Sequence, residues 1–251
     1  MSSTATDDGR VVLVTGAGRR VGARTAEALH AAGCRIAVHY RISSKEAHAL
    51  CERLNAVRPG SAFPFAANLL ELTEINALVE AVMAHFGRLD GLVNNASSFF
   101  PTALGSMDEA SWHDLIGSNL RAPLFLCQAA APHLCATQGS VVNIIDIHAE
   151  RPLAGYPLYS TAKAGLAGMT RAMAIELAPH VRVNGVAPGA IMWPEDGQFS
   201  TEQRTAIVDH TLLKREGRAE DVAVAVRFLL LEAHYVTGQI LAVDGGRSAH
   251  L

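Results

Sequence analysis

The chain has 251 residues, 49% of them hydrophobic and 18% charged, with a formal net charge of −3 and an isoelectric point near 6.4. This length and composition suit one α/β domain with a large core, and the weak charge argues against the basic surface of a nucleic-acid or anionic-membrane binder. The first ten residues are polar and no apolar run reaches about 18 residues, so we expect a cytoplasmic protein without a secretory signal or membrane span.

Strand-like apolar runs alternate with helical patterns along the chain. The runs are continuously apolar, which is typical of parallel strands covered on both faces. The predicted strands are 11–15, 35–40, 62–67, 89–94, 140–145, 181–187 and 239–243. The predicted helices are about 20–32, 44–56, 73–86, 107–135, 157–179 and 219–231. This order predicts a Rossmann-type α/β fold, a doubly wound parallel sheet of about seven strands flanked by helices.

Residues 1–251 are expected to form a single domain, because the chain has no repeat and no low-complexity linker. Residues 1–9 are expected to be flexible. The segment 190–216 lies between a strand and a helix and carries Pro194 and Gly197, so we expect it to form a lid over an active site. The four cysteines form no C-x-x-C pair and are expected to be reduced packing thiols.

The stretch VTGAGRRVG, residues 14–22, follows the first predicted strand and leads into a helix. Gly16, Gly18 and Gly22 supply a tight turn, and the N–H groups at the helix N-terminus favour a pyrophosphate. The alternative is a glycine-rich turn without a ligand, since many strand-to-helix turns carry glycines. Arg20 is unusual, because it places a bulky cation where the backbone must approach a phosphate.

The end of the second predicted strand indicates which nicotinamide cofactor binds. NAD-binding folds usually place a carboxylate there to hold the ribose hydroxyls. This chain instead has Tyr40, Arg41 and Ser43, and no carboxylate before Glu46. Arg41 and the hydroxyls suit a 2′-phosphate, and Arg19 on the loop adds positive charge, so the pattern favours NADPH over NADH. A solvated, ligand-free Arg41 is the alternative interpretation.

Tyr159 and Lys163 are four residues apart in a predicted helix and therefore share one face. A lysine ammonium beside a phenol stabilises the phenolate, so we expect Lys163 to lower the pKa of Tyr159. This makes Tyr159 a candidate proton donor near neutral pH.

Several ordered motifs together resemble the short-chain dehydrogenase/reductase family, over nearly the whole chain from residue 11 to the VTGQILAVDGG near the C-terminus. The motifs are Thr15-Gly16, the NNAS at 94–97, Asn119, Tyr159 with Lys163, and Pro188-Gly189. The resemblance implies a nicotinamide cofactor and hydride transfer, with Asn119 holding a water in a proton relay to Lys163. The cofactor cleft that it implies includes, beyond the residues above, Val21, Asn68, Leu69, Asn95, Ala96, Ser97 and Ile191. Asn68 stands where the family generally has an Asp that contacts adenine.

Two departures from the common family pattern are informative. The loop has Arg20 where the family usually has glycine, and Asp146 stands thirteen residues before the tyrosine, where the family usually has serine. A serine hydroxyl polarises a carbonyl, whereas a carboxyl group accepts hydrogen bonds from N–H groups or supplies a proton to a ring nitrogen. The alternative for Asp146 is that it caps a turn or pairs with a cation.

These departures occur together in the pteridine reductases, which the stretches TGAGRRVG, VHYRIS and VNNASSFFPT also resemble. That resemblance implies NADPH-dependent reduction of dihydropterins, with oxidised pterins or folates as further substrates. Phe99 is expected to stack on the pterin, Ser97 to hydrogen-bond it, and Arg20 to reach both the cofactor phosphates and the pterin edge. Phe99 as ordinary core, and Trp193 as either a pocket wall or a packing residue, are open alternatives.

The predicted reaction is hydride transfer to a C=N bond of the pterin, with a proton from Tyr159 and help from Asp146. One rival is a reductase of the same family that acts on a ketone or acyl carbonyl. A second rival is a non-catalytic NADPH-binding protein, against which the intact Tyr159, Lys163 and Asn119 argue. The family resemblance also implies a homotetramer, and the spacing of histidine and cysteine predicts no metal site.

Overall fold

Seven parallel strands form one sheet in the structure, a computed structural model that describes residues 9–193 and 197–249. Their order across the sheet is β3-β2-β1-β4-β5-β6-β7. The strands are β1 (Val11–Val14), β2 (Arg35–Tyr40), β3 (Ala62–Ala66), β4 (Gly91–Asn94), β5 (Ser140–Ile144), β6 (Arg182–Pro188) and β7 (Ile240–Val243). The predicted fold class is confirmed, and each strand begins and ends within two residues of its prediction.

Helices cover both faces of the sheet. They are α1 (Arg20–Ala31), α2 (Ser44–Val57), α3 (Leu72–Phe86), α4 (Glu109–Ile116), α5 (Ala122–Thr137), α6 (Pro157–Glu176), α7 (Thr201–Asp209) and α8 (Ala219–Leu231). None of the helices in the described parts of the chain combines the length and the apolar run that a membrane crossing needs. The flexible segment predicted for residues 1–9 lies, except for Gly9, outside the described residues.

The two covered faces explain why the strands are apolar throughout. In β1, Val11 and Leu13 pack into a core shared with α3, α5 and α6, whereas Val12 and Val14 pack into a second core shared with α1, α2 and α8. Successive strand residues point to opposite faces, so a strand between two helix layers needs an apolar side chain at every position.

The helix predicted over about 107–135 is helical without interruption from 109 to 137, but it is not one regular α-helix. The structure has α4, then a π-helix over Gly117–Arg121, then α5. The hydroxyl of Ser118 donates to the Asp114 carbonyl at 2.7 Å, and the Asn119 amide donates to the Leu115 carbonyl at 2.9 Å. These side chains occupy carbonyls four residues back, which competes with the regular backbone ladder and favours an irregular turn.

A buried polar chain connects β4, β5 and α6. The Asn94 side-chain amide donates to Oδ1 of Asn143 at 2.8 Å, and the Asn143 amide donates to the Thr170 hydroxyl at 2.9 Å. Thr170 in turn donates to the Leu166 carbonyl at 2.7 Å. Because these groups lie in apolar surroundings, their hydrogen bonds fix the position of α6 against the two central strands.

Candidate active site

The glycine loop is held in place by one buried histidine. Gly16 has a φ of +61°, which favours glycine, and a Cβ on Gly22 would lie 2.3 Å from the Gly16 carbonyl oxygen. The Gly16 N–H donates to Nδ1 of His39 at 3.1 Å, and Nε2 of His39 donates to the Ala67 carbonyl at 3.1 Å. Burial lowers the pKa of His39 to about 4, so the imidazole is neutral and its Nδ1 accepts.

The residues after β2 contact this loop. A Cβ on Gly18 would lie 2.6 Å from the hydroxyl oxygen of Ser43, so this position is restricted to glycine unless Ser43 moves. Arg41 and Arg19 are exposed at the same end of the cavity. The three side chains of Arg19, Arg41 and Ser43 thus provide two guanidinium groups and a hydroxyl beside the loop.

Thr15 joins the carboxyl ends of β1 and β4. Its hydroxyl oxygen accepts hydrogen bonds from the N–H groups of Asn95 and Ala96 at 2.9 and 3.0 Å. The Asn95 side-chain amide donates back to the Thr15 carbonyl at 2.8 Å. The strand order changes direction between these two strands, which is where open α/β sheets bind ligands.

Asp146, Tyr159 and Lys163 meet at the carboxyl end of β5. Tyr159 and Lys163 lie one turn apart on α6 and are only 5% and 3% exposed. The Tyr159 hydroxyl donates to Oδ2 of Asp146 at 2.7 Å, while the Lys163 ammonium donates to the Ile144 carbonyl at 2.9 Å. The other Asp146 oxygen accepts from the His148 N–H at 2.8 Å, so Asp146 both caps a turn and contacts Tyr159.

The prediction that Lys163 lowers the pKa of Tyr159 is wrong for this structure. Burial, the negative charge of Asp146 and the hydrogen bond to Asp146 raise the pKa of Tyr159 well above 10. Burial lowers the pKa of Lys163 to about 8, although the charge of Asp146 acts to raise it. At neutral pH the phenol therefore keeps its proton while the lysine beneath its ring, 5.7 Å from the ring centre, is charged.

Asn119 lies in the π-helix beside this group. Its side-chain amide donates to the carbonyls of Ser98 and Leu115, both at 2.9 Å. Its Oδ1 is buried and accepts no hydrogen bond from the described residues. An ordered water is the usual partner of a buried acceptor of this kind, and the water predicted at Asn119 stays a prediction.

Aromatic rings line the other side of the catalytic group. Phe99 stacks on Tyr156, with ring centres 4.7 Å apart and planes at 11°, and contacts the Tyr159 ring edge-on at 4.7 Å. Phe199 from the predicted lid lies nearly parallel to Phe99, with ring centres 6.3 Å apart. Trp193 contacts Phe199 at 5.6 Å. The cavity is therefore bounded by flat apolar faces next to the proton-bearing residues.

Arg20 connects the glycine loop to the predicted lid. It has a φ of +54°, and its guanidinium donates to the backbone carbonyls of Met192 and, at 3.1 Å, Trp193. The lid segment also contains α7, whose start is fixed by a capping box between Ser200 and Gln203. Contact between Arg20 and a cofactor or pterin stays a prediction.

One cavity of about 620 Å³ runs along this sheet edge and brings most of the predicted residues together. It is lined by Gly16, Arg19, Arg20, Val21, Arg41, Ser43, Asn68, Leu69, Asn95, Ala96, Ser97, Phe99, Asp146, Tyr159, Lys163, Pro188, Gly189, Ile191 and Trp193. Three predicted residues do not line it: Gly18 packs against Ser43, Tyr40 packs edge-on against His48, and Asn119 lies behind the wall. For these three residues, contact with a cofactor, a substrate or a bound water stays a prediction.

Three residues of this site were not assigned a functional role from the sequence. For His39 the available signal was that a histidine in an apolar strand needs hydrogen-bond partners. Phe199 belongs to the lid, where the S-T-E-Q capping pattern at 200–203 marks the helix that follows it. Arg247 also lines the cavity, and its place in a glycine-rich turn near the C-terminus gave no signal.

Comparisons with known proteins show which family the chain resembles. A family model described as enoyl-(acyl carrier protein) reductase matches residues 16–248. The chain is 39% identical to pteridine reductase 1 of Leishmania tarentolae, over 95% of this chain and 96% of that protein. It is 38% identical to a 3-oxoacyl-[acyl-carrier-protein] reductase of Synechocystis, over 94% and 96% of the two chains. It is also 33% identical to such a reductase of Thermotoga maritima, over 95% and 98%.

Proposed function

Since this chain belongs to the short-chain dehydrogenase/reductase family of oxidoreductases, we propose that it is an NADPH-dependent pteridine reductase. It would reduce a C=N bond of a dihydropterin, with oxidised pterin or dihydrofolate as further substrates. The observation that carries the proposal is the carboxylate of Asp146, hydrogen-bonded to Tyr159 where the family usually has a serine. The resemblance to pteridine reductase 1 supports the same assignment.

The residues around the glycine loop fit NADPH. Arg19, Arg41 and Ser43 provide cationic and hydroxyl donors beside the loop, and no carboxylate lies between the start of β2 and Glu46 to hold unphosphorylated ribose hydroxyls. Helix α1 begins at this loop, and the N–H groups at its N-terminus can bind a pyrophosphate. When bound, NADPH supplies the hydride.

Tyr159 is the proton donor in this scheme. Reduction of a C=N bond adds a hydride to carbon and a proton to nitrogen, so the Tyr159 O–H bond breaks as the ring N–H bond forms. The phenolate left behind is stabilised by the charged ammonium of Lys163, which lies below the ring. Lys163 thus acts on the transition state and on reprotonation, through the water site predicted at Asn119, rather than by ionising the phenol beforehand.

Asp146 orients this proton. Its Oδ2 accepts the Tyr159 hydroxyl, and its Oδ1 is fixed by the His148 N–H, so the carboxylate has one defined orientation. A pterin presents N–H groups at its edge. A carboxylate accepts hydrogen bonds from such groups more strongly than a neutral serine hydroxyl does. Holding the ring against Phe99 and Ser97 limits the motion of the reacting atoms, which contributes to the rate.

A ketone or acyl-carrier reductase is the second candidate. It is favoured by the 33–38% identity to 3-oxoacyl-[acyl-carrier-protein] reductases, whose identity to this chain approaches that of the pteridine reductase. Asp146 opposes it, since an ionised carboxylate repels the oxyanion that develops when a carbonyl is reduced.

The two candidates are separated by parallel assays of NADPH consumption with dihydrobiopterin, dihydrofolate, oxidised biopterin and a 3-oxoacyl thioester. We expect turnover with at least one pterin and a kcat/KM for the thioester that is at least about 100-fold lower. The Asp146→Ser variant is the matched control and should move the preference towards the carbonyl. Preference of the unmodified protein for the thioester would overturn the proposal.

We also propose that the protein is a homotetramer. On α8, Val224 and Phe228 are exposed one turn apart, and Leu241 is exposed on the neighbouring edge strand β7. Trp112 on α4 and Ile175 on α6 are exposed elsewhere. A tetramer with dihedral symmetry needs more than one self-complementary face, which these separate apolar positions offer. A monomer mass by light scattering in solution would overturn this.

A further inference from the structure

The turn after β7 has a rigid backbone. Asp244 is buried, and its carboxylate accepts hydrogen bonds from the N–H groups of Gly246 at 2.9 Å and Ser248 at 2.6 Å. Gly245 has a φ of +64°, and its carbonyl accepts from the Leu213 N–H at 3.1 Å. The turn is therefore fixed both by its own hydrogen bonds and by the base of the lid.

This turn places the Arg247 side chain in the wall of the cavity that contains Asp146 and Phe199. The guanidinium is partly buried and interacts electrostatically with Asp146 and Asp244. Across residues 9–193 and 197–249, no side-chain hydrogen bond and no ion pair within 4 Å involves it. The N–H donors of the guanidinium are therefore available to a ligand in the cavity.

The position of Arg247 in the sheet argues against a role in binding the cofactor phosphates. The cationic groups proposed for those phosphates follow β1 and β2, whereas Arg247 follows β7. In the observed strand order, β2 and β7 are five strand spacings apart, which is about 24 Å at roughly 4.8 Å per spacing. Arg247 therefore serves the substrate end of the cavity.

We propose that Arg247 is a specificity-determining residue that binds a carboxylate on the side chain of a conjugated pterin, as in dihydrofolate. The inference rests on the proposed function, since it takes the reacting ring to be a pterin. The tilted pair of Trp193 and Phe199 lines the same cavity as Arg247 and suits the aromatic ring that joins pterin and carboxylate. An unconjugated pterin has no group to pair with Arg247.

The test compares steady-state kinetics on dihydrofolate and dihydrobiopterin, with NADPH saturating. We expect Arg247→Gln, which keeps a polar side chain but removes its charge, to raise KM for dihydrofolate at least about 10-fold. Its kcat for dihydrofolate and its KM for dihydrobiopterin should change less than about twofold. Arg247→Lys should recover part of the loss. Arg215→Gln, an exposed arginine paired with Asp221 outside the cavity, is the matched control and should behave as the unmodified protein.

Binding of folic acid, followed by isothermal titration calorimetry, gives a readout that is independent of turnover and should weaken by the same factor in Arg247→Gln. Equal KM changes for both substrates, or no change for either, would overturn the inference. So would an unmodified protein that reduces dihydrobiopterin but neither binds nor reduces folates. Failure of the unmodified protein with every pterin is a different result, because it removes the proposed function itself.

Discussion

Mild acid should destabilise this protein through His39, the residue that holds the glycine loop. Burial lowers its pKa from 6.5 to about 4 in the folded protein. Between these two values the unfolded chain binds a proton that the folded protein does not. The free energy of unfolding therefore falls as the pH falls through this range.

The size of the effect follows from the two pKa values. A difference of one pKa unit corresponds to about 1.4 kcal/mol. Linkage with values of 6.5 and about 4 gives a loss of about 2 kcal/mol between pH 7 and pH 5, and about 3 kcal/mol by pH 4. For a domain whose total stability is of the order of 10 kcal/mol, this is readily measured.

The assay is urea unfolding followed by tryptophan fluorescence at pH 7, 6 and 5, at one protein concentration. His39→Gln has no group that titrates at this position, so its stability should fall between pH 7 and 5 by about 2 kcal/mol less than that of the unmodified protein. His180→Gln is the control, because His180 is exposed in the folded protein. Parallel curves for His39→Gln and the unmodified protein would refute the reasoning, whatever the stability of the variant at pH 7.

Asp146→Ala should lower kcat/KM for dihydrobiopterin about 100-fold or more, the usual size of a proton-transfer contribution, while the NADPH Kd changes less than about threefold; unchanged turnover would remove Asp146 from the mechanism. Arg41→Glu should raise KM for NADPH about 10- to 100-fold by loss of a charge-assisted hydrogen bond, and equal effects on NADH would contradict recognition of a 2′-phosphate. Gly22→Ala should lower Tm, because the new Cβ would lie 2.3 Å from a backbone oxygen. Gly168→Ala on α6 meets no atom within 4 Å and should add up to about 1 kcal/mol of stability. Similar Tm shifts in the two variants would show that helix propensity alone sets the effect of the substitution. The alkaline limb of kcat/KM should lie near pH 8, where Lys163 loses its proton, and should move upward in Lys163→Arg; a profile that is flat to pH 10 would assign no role to that charge.

The strands were predictable because each one is a short apolar run between polar turns, and because both faces of the sheet are covered. The π-helical segment at 117–121 was not predictable from hydrophobic periodicity. It depends on side-chain bonds from Ser118 and Asn119 to carbonyls four residues back, and periodicity does not register them. Helix α7 did leave a signal, the capping pattern that begins at Ser200.

The candidate site was predictable where its chemistry lies in local motifs, as in the glycine loop and the Tyr159 and Lys163 pair. The pKa of Tyr159 was not, because it depends on burial and on the hydrogen bond to Asp146, which only the folded structure brings to 2.7 Å. Arg247 was missed for a similar reason. The role proposed for Arg247 depends on its place in a cavity whose lining residues are far apart in sequence.

The buried chain of Asn94, Asn143 and Thr170 also bears on how faithfully the active site is assembled. Thr170 lies on the same helix as Tyr159 and Lys163. A molecule in which this helix docks one residue out of place leaves amides and a hydroxyl unpaired in an apolar core, at about 1–3 kcal/mol for each group. Misassembled and therefore inactive molecules are thus also the least stable ones. In a cell, less stable molecules unfold more often and are degraded by proteases. The buried polar chain therefore favours the survival of molecules in which the catalytic residues are correctly placed.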